Sequence, residues 1–258
     1  MSRPVLLKLG GSLVTQKAKP GTFQRGVAGR LLQETAKAGI PVVLLHGAGS
    51  FGHPAVARSG LGNGPLDAHR REAASEVLAG LAQLEGHMLT AAHGAGLRPV
   101  PVPLHISVQD TGEALDGLPI EEVRALLDDG MTPVLHGTLV RHARTGWCVL
   151  GADRILAELA AHLDPRLCLW ATDVDGAYDG DPKAHPTAKL LPKVSPATMP
   201  EGRQGTGADV TGRMHGKLEH AFAAAQFAPT LIVNGMVRGR VLDALRGKAV
   251  VGTRVEAG

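Results

Sequence analysis

Aromatic side chains are scarce: 258 residues hold four Phe, two Trp and one Tyr. So few aromatics cannot build the stacking platforms on which single-stranded nucleic acid rests, and the core must be aliphatic. Cysteine is nearly absent too. Cys148 and Cys168 share no CxxC spacing, which removes a disulfide framework and a zinc knuckle from consideration. No apolar run approaches the roughly 18 residues of a membrane span, and the opening MSRPVLLKLGGS lacks the long apolar core of a signal peptide. Polybasic runs are missing as well. The net charge of +3, with twelve His counted neutral, is dispersed along the chain, which suits an anionic small molecule better than a nucleic-acid track. The expectation is a soluble protein of a reducing, cytoplasmic compartment.

What is present is an alternation of short apolar runs and helical patterns, without repeats or low-complexity segments. VLLKLG (5–10) and VVLLH (42–46) read as buried strands, separated by a helix with Val27, Leu31, Leu32 and Ala38 on one side. A longer amphipathic helix over 72–94 carries Val77, Leu81, Leu84 and Met88 at helical spacing. RPVPVP, a helix opening at Pro119, and TPVLHG follow. ADRILAELAAHL then leads into LCLWATDVDG, and after a loop come the helix MHGKLEHAFAAAQ, the strand TLIVNG, a short helix and AVVGTRV. Strands alternating with helices predict an α/β fold with a mostly parallel sheet covered on both faces. HLDPRL (162–167) is the natural division between an N-terminal lobe, residues 1–165, and a C-terminal lobe, residues 166–258.

Three glycine loops raise the question of function. HGAGSFGH (46–53) reads as GxGxxG at Gly47, Gly49 and Gly52, but a phosphate-binding P-loop would need Lys then Ser or Thr where His53 and Pro54 stand. A dinucleotide site would need a second strand ending in an acid. Asp67 lies twenty residues past Gly47, but its approach, ARSGLGNGPLDAHRR, contains no strand. A second loop, KLGGS (8–12), follows the first strand directly, where glycines let backbone amides approach a phosphate and Lys8 adds a point charge. Alone it would be an ordinary strand-to-helix turn. The third, GTGADVTGRMHGK (205–217), carries Gly205, Gly207 and Gly212 before a helix with Lys217 one turn in. Three such loops, two with a lysine in register, point to several phosphates held from different sides.

In this order, KLGGS, HGAGSFGH, GAD before a helix, ATDVDGAYDGDP and GADVTGRMHGK resemble the amino acid kinase superfamily over nearly the whole chain. Within it, His53 and Lys17 are most similar to the pattern of the isopentenyl phosphate kinases, with the fosfomycin kinases as near relatives. The resemblance implies an open αβα sandwich, a homodimer, ATP with Mg2+, and isopentenyl phosphate or a similar small monophosphate bound in the N-terminal lobe. It implies that Lys8 touches the transferring phosphoryl group, which Gly10, Gly11 and Ser12 line, and that Lys17 stabilises the transition state. Ala48, Gly49, Ser50 and Gly52 would face the acceptor phosphate and the nucleotide's terminal phosphates, His53 would bond the acceptor, and Gly151 would lie near it. Asp153 matches the carboxylate that orients the flanking lysines. Asp173, Gly176 and Tyr178 fall where base and ribose are held and Lys217 where the β- and γ-phosphates are; Gly212 and Arg213 belong to the nucleotide site, where the Arg213 side chain must point away from the nucleotide or add a phosphate contact. The chain departs from the family in having Arg213 for a glycine, a single acid in LGADR, and no acid in HGTLVRHARTGW.

The residue types fit the chemistry. A phosphate monoester has a second pKa of about 6, is largely dianionic at neutral pH, and is a nucleophile without a base. The reaction requires instead that repulsion between two anions be cancelled and both be held in line. Lys8, Lys17, His53 and Lys217 supply positive charge, and Asp153 keeps the lysines together. An imidazole, which titrates near pH 6.5 when free, favours its charged form against a phosphate dianion. His69, His87, His93 and His105 are scattered without metal-ligand spacing, and the acids from Asp173 to Asp181 fail the twelve-residue calcium pattern at Ala177. Magnesium is expected on the ATP phosphates, with no protein ligand. A phosphonate kinase and a nucleotide-binding module without turnover are the competing readings.

Overall fold

The structure, a computed structural model, describes residues 3–16, 18–62, 64–182, 184–199 and 211–258, with residues 211–213 described by their backbone alone. The chain begins with β1 (Val5–Leu9), the short α1 (Gly11–Val14), α2 (Arg25–Ala38), β2 (Val42–His46), α3 (His53–Ser59) and α4 (Ala68–Gly94). It continues through β3 (Pro99–Pro101), β4 (Gln109–Asp110), β5 (Leu115–Asp116), α5 (Ile120–Asp128), β6 (Thr132–His136), β7 (Thr138–His142) and β8 (Gly146–Leu150). The second half comprises α6 (Ala152–Leu163), β9 (Leu167–Thr172), β10 (Lys193–Val194), α7 (Thr211–Ala225), β11 (Thr230–Asn234), α8 (Arg240–Leu245) and β12 (Gly252–Val255).

Local chemistry sets several of these boundaries. Gly39 ends α2 in the left-handed region at φ 67°, where a side chain would be strained. Asp67 starts α4 by accepting the Arg70 amide at 2.8 Å. The acid that a dinucleotide site would require is therefore a helix cap, and α4 begins four residues earlier than the apolar stripe suggested.

Among the described residues the main sheet runs β10-β12-β11-β9-β1-β2-β6-β3. It is parallel except where β12 pairs antiparallel with β11. A second sheet, β5-β4-β7-β8, lies apart from it; its strands, two of them only two residues long, carry too short a pattern to be read in advance. β1 pairs in register with β9, so residues on the two sides of the 165/166 division share one sheet.

The two-residue period of a strand decides which face each side chain meets. Val5, Leu7 and Leu9 enter a core with residues of α2, α4 and α8. Leu6 points the other way, into a core with residues of α5, α6 and α7. Lys8 shares the face of Leu6, which directs it toward α6 and α7. A third, smaller cluster joins Ala55 and Leu61, around α3, to Ala74, Val77 and Leu81 of α4 and Leu139 of β7. No described helix is long and apolar enough to cross a membrane.

Candidate active site

The strand order reverses at β1, with β2 on one side and β9 on the other. Loops leaving the carboxyl ends of neighbouring strands at such a point diverge and leave a crevice, the usual ligand site of open α/β sheets. The loops after β1, β2 and β9 carry most of the residues singled out in the sequence.

The first two glycine loops lie backbone against backbone. A Cβ on Gly11 would stand 2.8 Å from Gly49 Cα, and one on Gly47 would stand 2.9 Å from the Gly11 amide nitrogen. Gly49 also has φ +50°, and a Cβ there would meet Thr15 Oγ1 at 2.0 Å. Thr15, absent from the sequence reading, fastens the two loops by donating to the Gly11 carbonyl at 2.8 Å and accepting the Ser50 amide at 3.0 Å. The glycines are thus required by close approach of protein to protein. The Gly10 amide is occupied by the Ala171 carbonyl at 2.9 Å, and the Ser50 hydroxyl donates to the Lys19 carbonyl at 3.4 Å. Gly11 and Ser12 open α1, whose first amides have no carbonyl within the helix to bond.

Charge gathers on one carboxylate. Asp153, in the first turn of α6, receives Lys8 Nζ at 2.8 Å on Oδ1, and Lys217 Nζ of α7 lies 3.7 Å from the same oxygen. The Trp170 indole of β9 donates to that oxygen at 2.6 Å. Lys8 is only 5% exposed, and the Lys217 side chain only 12%. Burial alone would raise the Asp153 carboxyl, but the charges of Lys8 and Lys217 and the donated hydrogen bonds prevail and hold it well below the usual carboxylate range. Burial first, then repulsion from Lys8, pushes the Lys217 ammonium down to about 8, against the attraction of Asp153 and Asp173.

The remaining predicted residues lie around this centre. Asp173 accepts the Ser12 hydroxyl at 3.0 Å, joining the loop after β9 to the first glycine loop. Gly176 is packed against β12, where a Cβ would stand 2.2 Å from Thr253 Oγ1, and Tyr178 forms a bridge with Leu190. Gly52 precedes α3 and is buried beside Ala48; His53 follows it, exposed at the helix start. Gly151 precedes α6 with open space before it, since a Cβ there would meet nothing within 4 Å. Lys17 lies outside the described residues, as do Gly205, Gly207 and the side-chain surroundings of Gly212 and Arg213. Among the described residues no three or more His, Cys, Asp and Glu are grouped to hold a metal ion.

One departure from the family pattern and the apolar stripe of α4 acquire a setting. In the single-acid segment LGADR, Arg154 forks onto Asp110 of β4 with bonds of 2.6 and 3.3 Å, tying the second sheet to the helix that carries Asp153. The apolar stripe of α4 divides: Val77 and Leu81 face the small cluster beside Ala48, whereas Leu84 and Met88 belong to the main core.

A buried histidine pair was also missed, although its signal was visible as a repeated His-Gly at two strand ends. His46 and His136 are register partners on β2 and β6, with ring centroids 5.2 Å apart. His136 Nε2 lies 3.6 Å from Glu85 of α4, and His46 Nδ1 lies 3.3 Å from the Gly47 carbonyl. Burial, then the neighbouring His136, pushes His46 down to about 3, with the bond to Gly47 acting in the opposite direction. Native His46 is therefore neutral where the unfolded chain, titrating near 6.5, binds a proton. That difference removes stability as pH falls from about 6.5 toward 3, by up to about 1.4 kcal/mol per pH unit. Urea unfolding between pH 7 and pH 5 should accordingly show a steeper loss for the wild type than for His46→Gln; equal slopes would exclude His46 as the source.

Comparison with known proteins follows the same outline. Residues 3–234 match the model of the amino acid kinase family. An isopentenyl phosphate kinase of Methanothermobacter thermautotrophicus is 31% identical over an alignment of 261 residues, covering 97% of this chain and 98% of that one. One from Thermoplasma acidophilum is 30% identical over 215 residues, with 83% and 84% covered. A solved isopentenyl phosphate kinase structure superposes with a TM-score of 0.86 at 27% identity, over 98% of this chain and 99% of its own.

Proposed function

The chain belongs to the amino acid kinase family, and on that premise we propose that it transfers the γ-phosphoryl group of ATP to isopentenyl phosphate, giving isopentenyl diphosphate and ADP. The observation that carries this reading is the meeting of Lys8 and Lys217, from opposite halves of the chain, on one oxygen of Asp153 beside two interlocked glycine loops. Similarity to isopentenyl phosphate kinases over almost the full length supports the acceptor assignment.

In this mechanism a non-bridging oxygen of the acceptor phosphate attacks the γ-phosphorus in line, and the bond from the γ-phosphorus to the oxygen bridging it to the β-phosphorus breaks as ADP leaves. The acceptor is already a dianion, so no proton has to be removed. Lys8 and Lys217 offset the charge that accumulates between the two phosphates, and Asp153 holds them at the required separation. Residues 1–165 bind the acceptor, with His53 at the end of the second glycine loop as its cation. Residues 166–258 bind the nucleotide through the segment containing Asp173, Gly176 and Tyr178 and through Lys217. Magnesium would enter with the nucleotide and offset the charge of its phosphates, which would be its main ligands. The cluster of Ala55, Leu61, Val77, Leu81 and Leu139 packs against Ala48 of the second glycine loop as closed core, each of these residues being 4% exposed or less. A homodimer working in the cytoplasm completes the reading.

An ADP-release assay with isopentenyl phosphate, dimethylallyl phosphate, fosfomycin, glutamate, acetylglutamate and UMP tests the acceptor. Isopentenyl phosphate should give the highest kcat/KM, and preference for an amino acid or UMP would refute the assignment. A pH profile tests Lys217 separately. A lysine with a pKa of about 8 loses its charge as pH rises through that value, so kcat/KM for ATP should fall on the alkaline side of about pH 8. Lys217→Arg should extend the plateau to higher pH. A profile that stays flat to about pH 10 in the wild type would mean that the Lys217 charge is not used.

A further inference from the structure

Trp170 is the largest fully buried side chain among the described residues, and it stands directly beside Lys8 in the pairing of β9 with β1. Its ring lies in the core on the same sheet face as Lys8, and its Nε1–H is directed at Asp153 Oδ1, 2.6 Å away. A buried tryptophan needs some acceptor for its N–H, and a backbone carbonyl would serve. Here the acceptor is the carboxylate that gathers the two lysines.

The three partners of Asp153, two hydrogen-bond donors and the Lys217 charge at 3.7 Å, differ in a way that matters to turnover. Each lysine ends a flexible four-carbon stem and carries a charge that phosphate competes for. An indole N–H is a donor only, carries no charge and does not titrate. Its ring is fixed on both sides by the strand and the core, so its direction does not change when phosphates enter the crevice. When Lys8 and Lys217 turn part of their hydrogen bonding toward phosphate oxygens, the Trp170 bond remains to hold the Asp153 rotamer. The carboxylate then keeps returning the lysines to the same place.

From this geometry we infer that Trp170 is a positioning residue for phosphoryl transfer, acting through Asp153 and touching neither substrate. The inference rests on the reading of Asp153 as the carboxylate that orients Lys8 and Lys217. Losing Trp170 should affect the transferring state more than the binding of ATP, because it disturbs the separation of the lysines and leaves their charge intact.

Trp170→Phe removes the N–H and keeps an aromatic ring in the core. Its kcat should fall by about tenfold to a hundredfold, the range for losing one hydrogen bond to a charged group, with KM for ATP changed less than about threefold. Asp153→Asn turns the charge-assisted bond into a weaker neutral one. Adding Trp170→Phe to that background should cost no more than about twofold, since residues acting as a unit are not additive. Equal losses in both backgrounds, or full activity in Trp170→Phe, would overturn the inference.

A readout independent of activity covers the case in which Trp170→Phe does not fold. The chain has two tryptophans, so the Trp170 indole N–H can be assigned in a nitrogen–proton correlation spectrum by comparison with Trp147→Phe. It should resonate downfield, exchange slowly with solvent, and move upfield in Asp153→Asn. An indole signal unaffected by Asp153→Asn would show that the bond does not exist. If the wild type fails to phosphorylate isopentenyl phosphate, the proposed function falls, whereas the spectra still test the contact.

Discussion

Lys8→Met is expected to lower kcat by about a hundredfold to a thousandfold, the range for removing one preorganised donor to developing charge. Methionine keeps most of the aliphatic stem that fills the face shared with Leu6, so the loss falls on charge and less on packing. Asp153 holds Trp170 at 2.6 Å, Lys217 at 3.7 Å and Lys8 at 2.8 Å, and the substitution removes the last, its close charge partner. A second effect has a known sign. Repulsion from Lys8 is among the forces that push Lys217 down, so without Lys8 the alkaline limb of the pH profile should move to higher pH. A variant with kcat within threefold of the wild type and an unmoved limb would remove Lys8 from the chemistry.

His53→Ala should act on the other substrate. His53 begins α3 and is exposed, so its loss should spare the hydrophobic core. As a cation for the acceptor phosphate it would make a charge-assisted bond, and kcat/KM for isopentenyl phosphate should fall by about a hundredfold or more. ATP binding followed by calorimetry should stay within about twofold, because the proposed reading assigns His53 to the acceptor and not to the nucleotide. Unchanged turnover would show that His53 only starts a helix. Equal loss of ATP affinity would show that the loop, and not the acceptor contact, had been damaged.

The sequence was most legible where one pattern dominates a segment. VLLKL and VVLLH are buried along their whole length, and such runs bounded by glycine leave little choice but a central strand. The helix over ADRILAELAAHL matches α6 from end to end. Meaning was harder to read than position. GxGxxG at Gly47, Gly49 and Gly52 suggested a backbone cradle, but Gly47 and Gly49 are needed because Gly11 and Thr15 press against them. That is a tertiary contact, and no local pattern reports it.

Partners distant in sequence account for most of what was missed. Arg154 has no reading of its own until the fold brings Asp110 to it, and Trp170 reads as one more apolar residue of LCLWAT until β9 sets its ring beside Asp153. The second sheet escaped notice because β4 and β5 are two residues each and turn residues interrupt them. Lys8, Asp153 and Lys217 could be named in advance, and the family resemblance already paired Asp153 with the flanking lysines. That all three converge on one oxygen depends on the two-residue period of β1, which turns Lys8 toward α6 and α7.

Phosphorus NMR of the enzyme with ATP, magnesium and isopentenyl phosphate tests the central claim most directly. The monoester signal of the acceptor should disappear as a coupled pair of diphosphate signals, distinct from those of ADP, grows with one ADP formed for each. A persistent monoester signal while ADP and inorganic phosphate accumulate would contradict the account, because it would show that the site cleaves ATP without joining two phosphates.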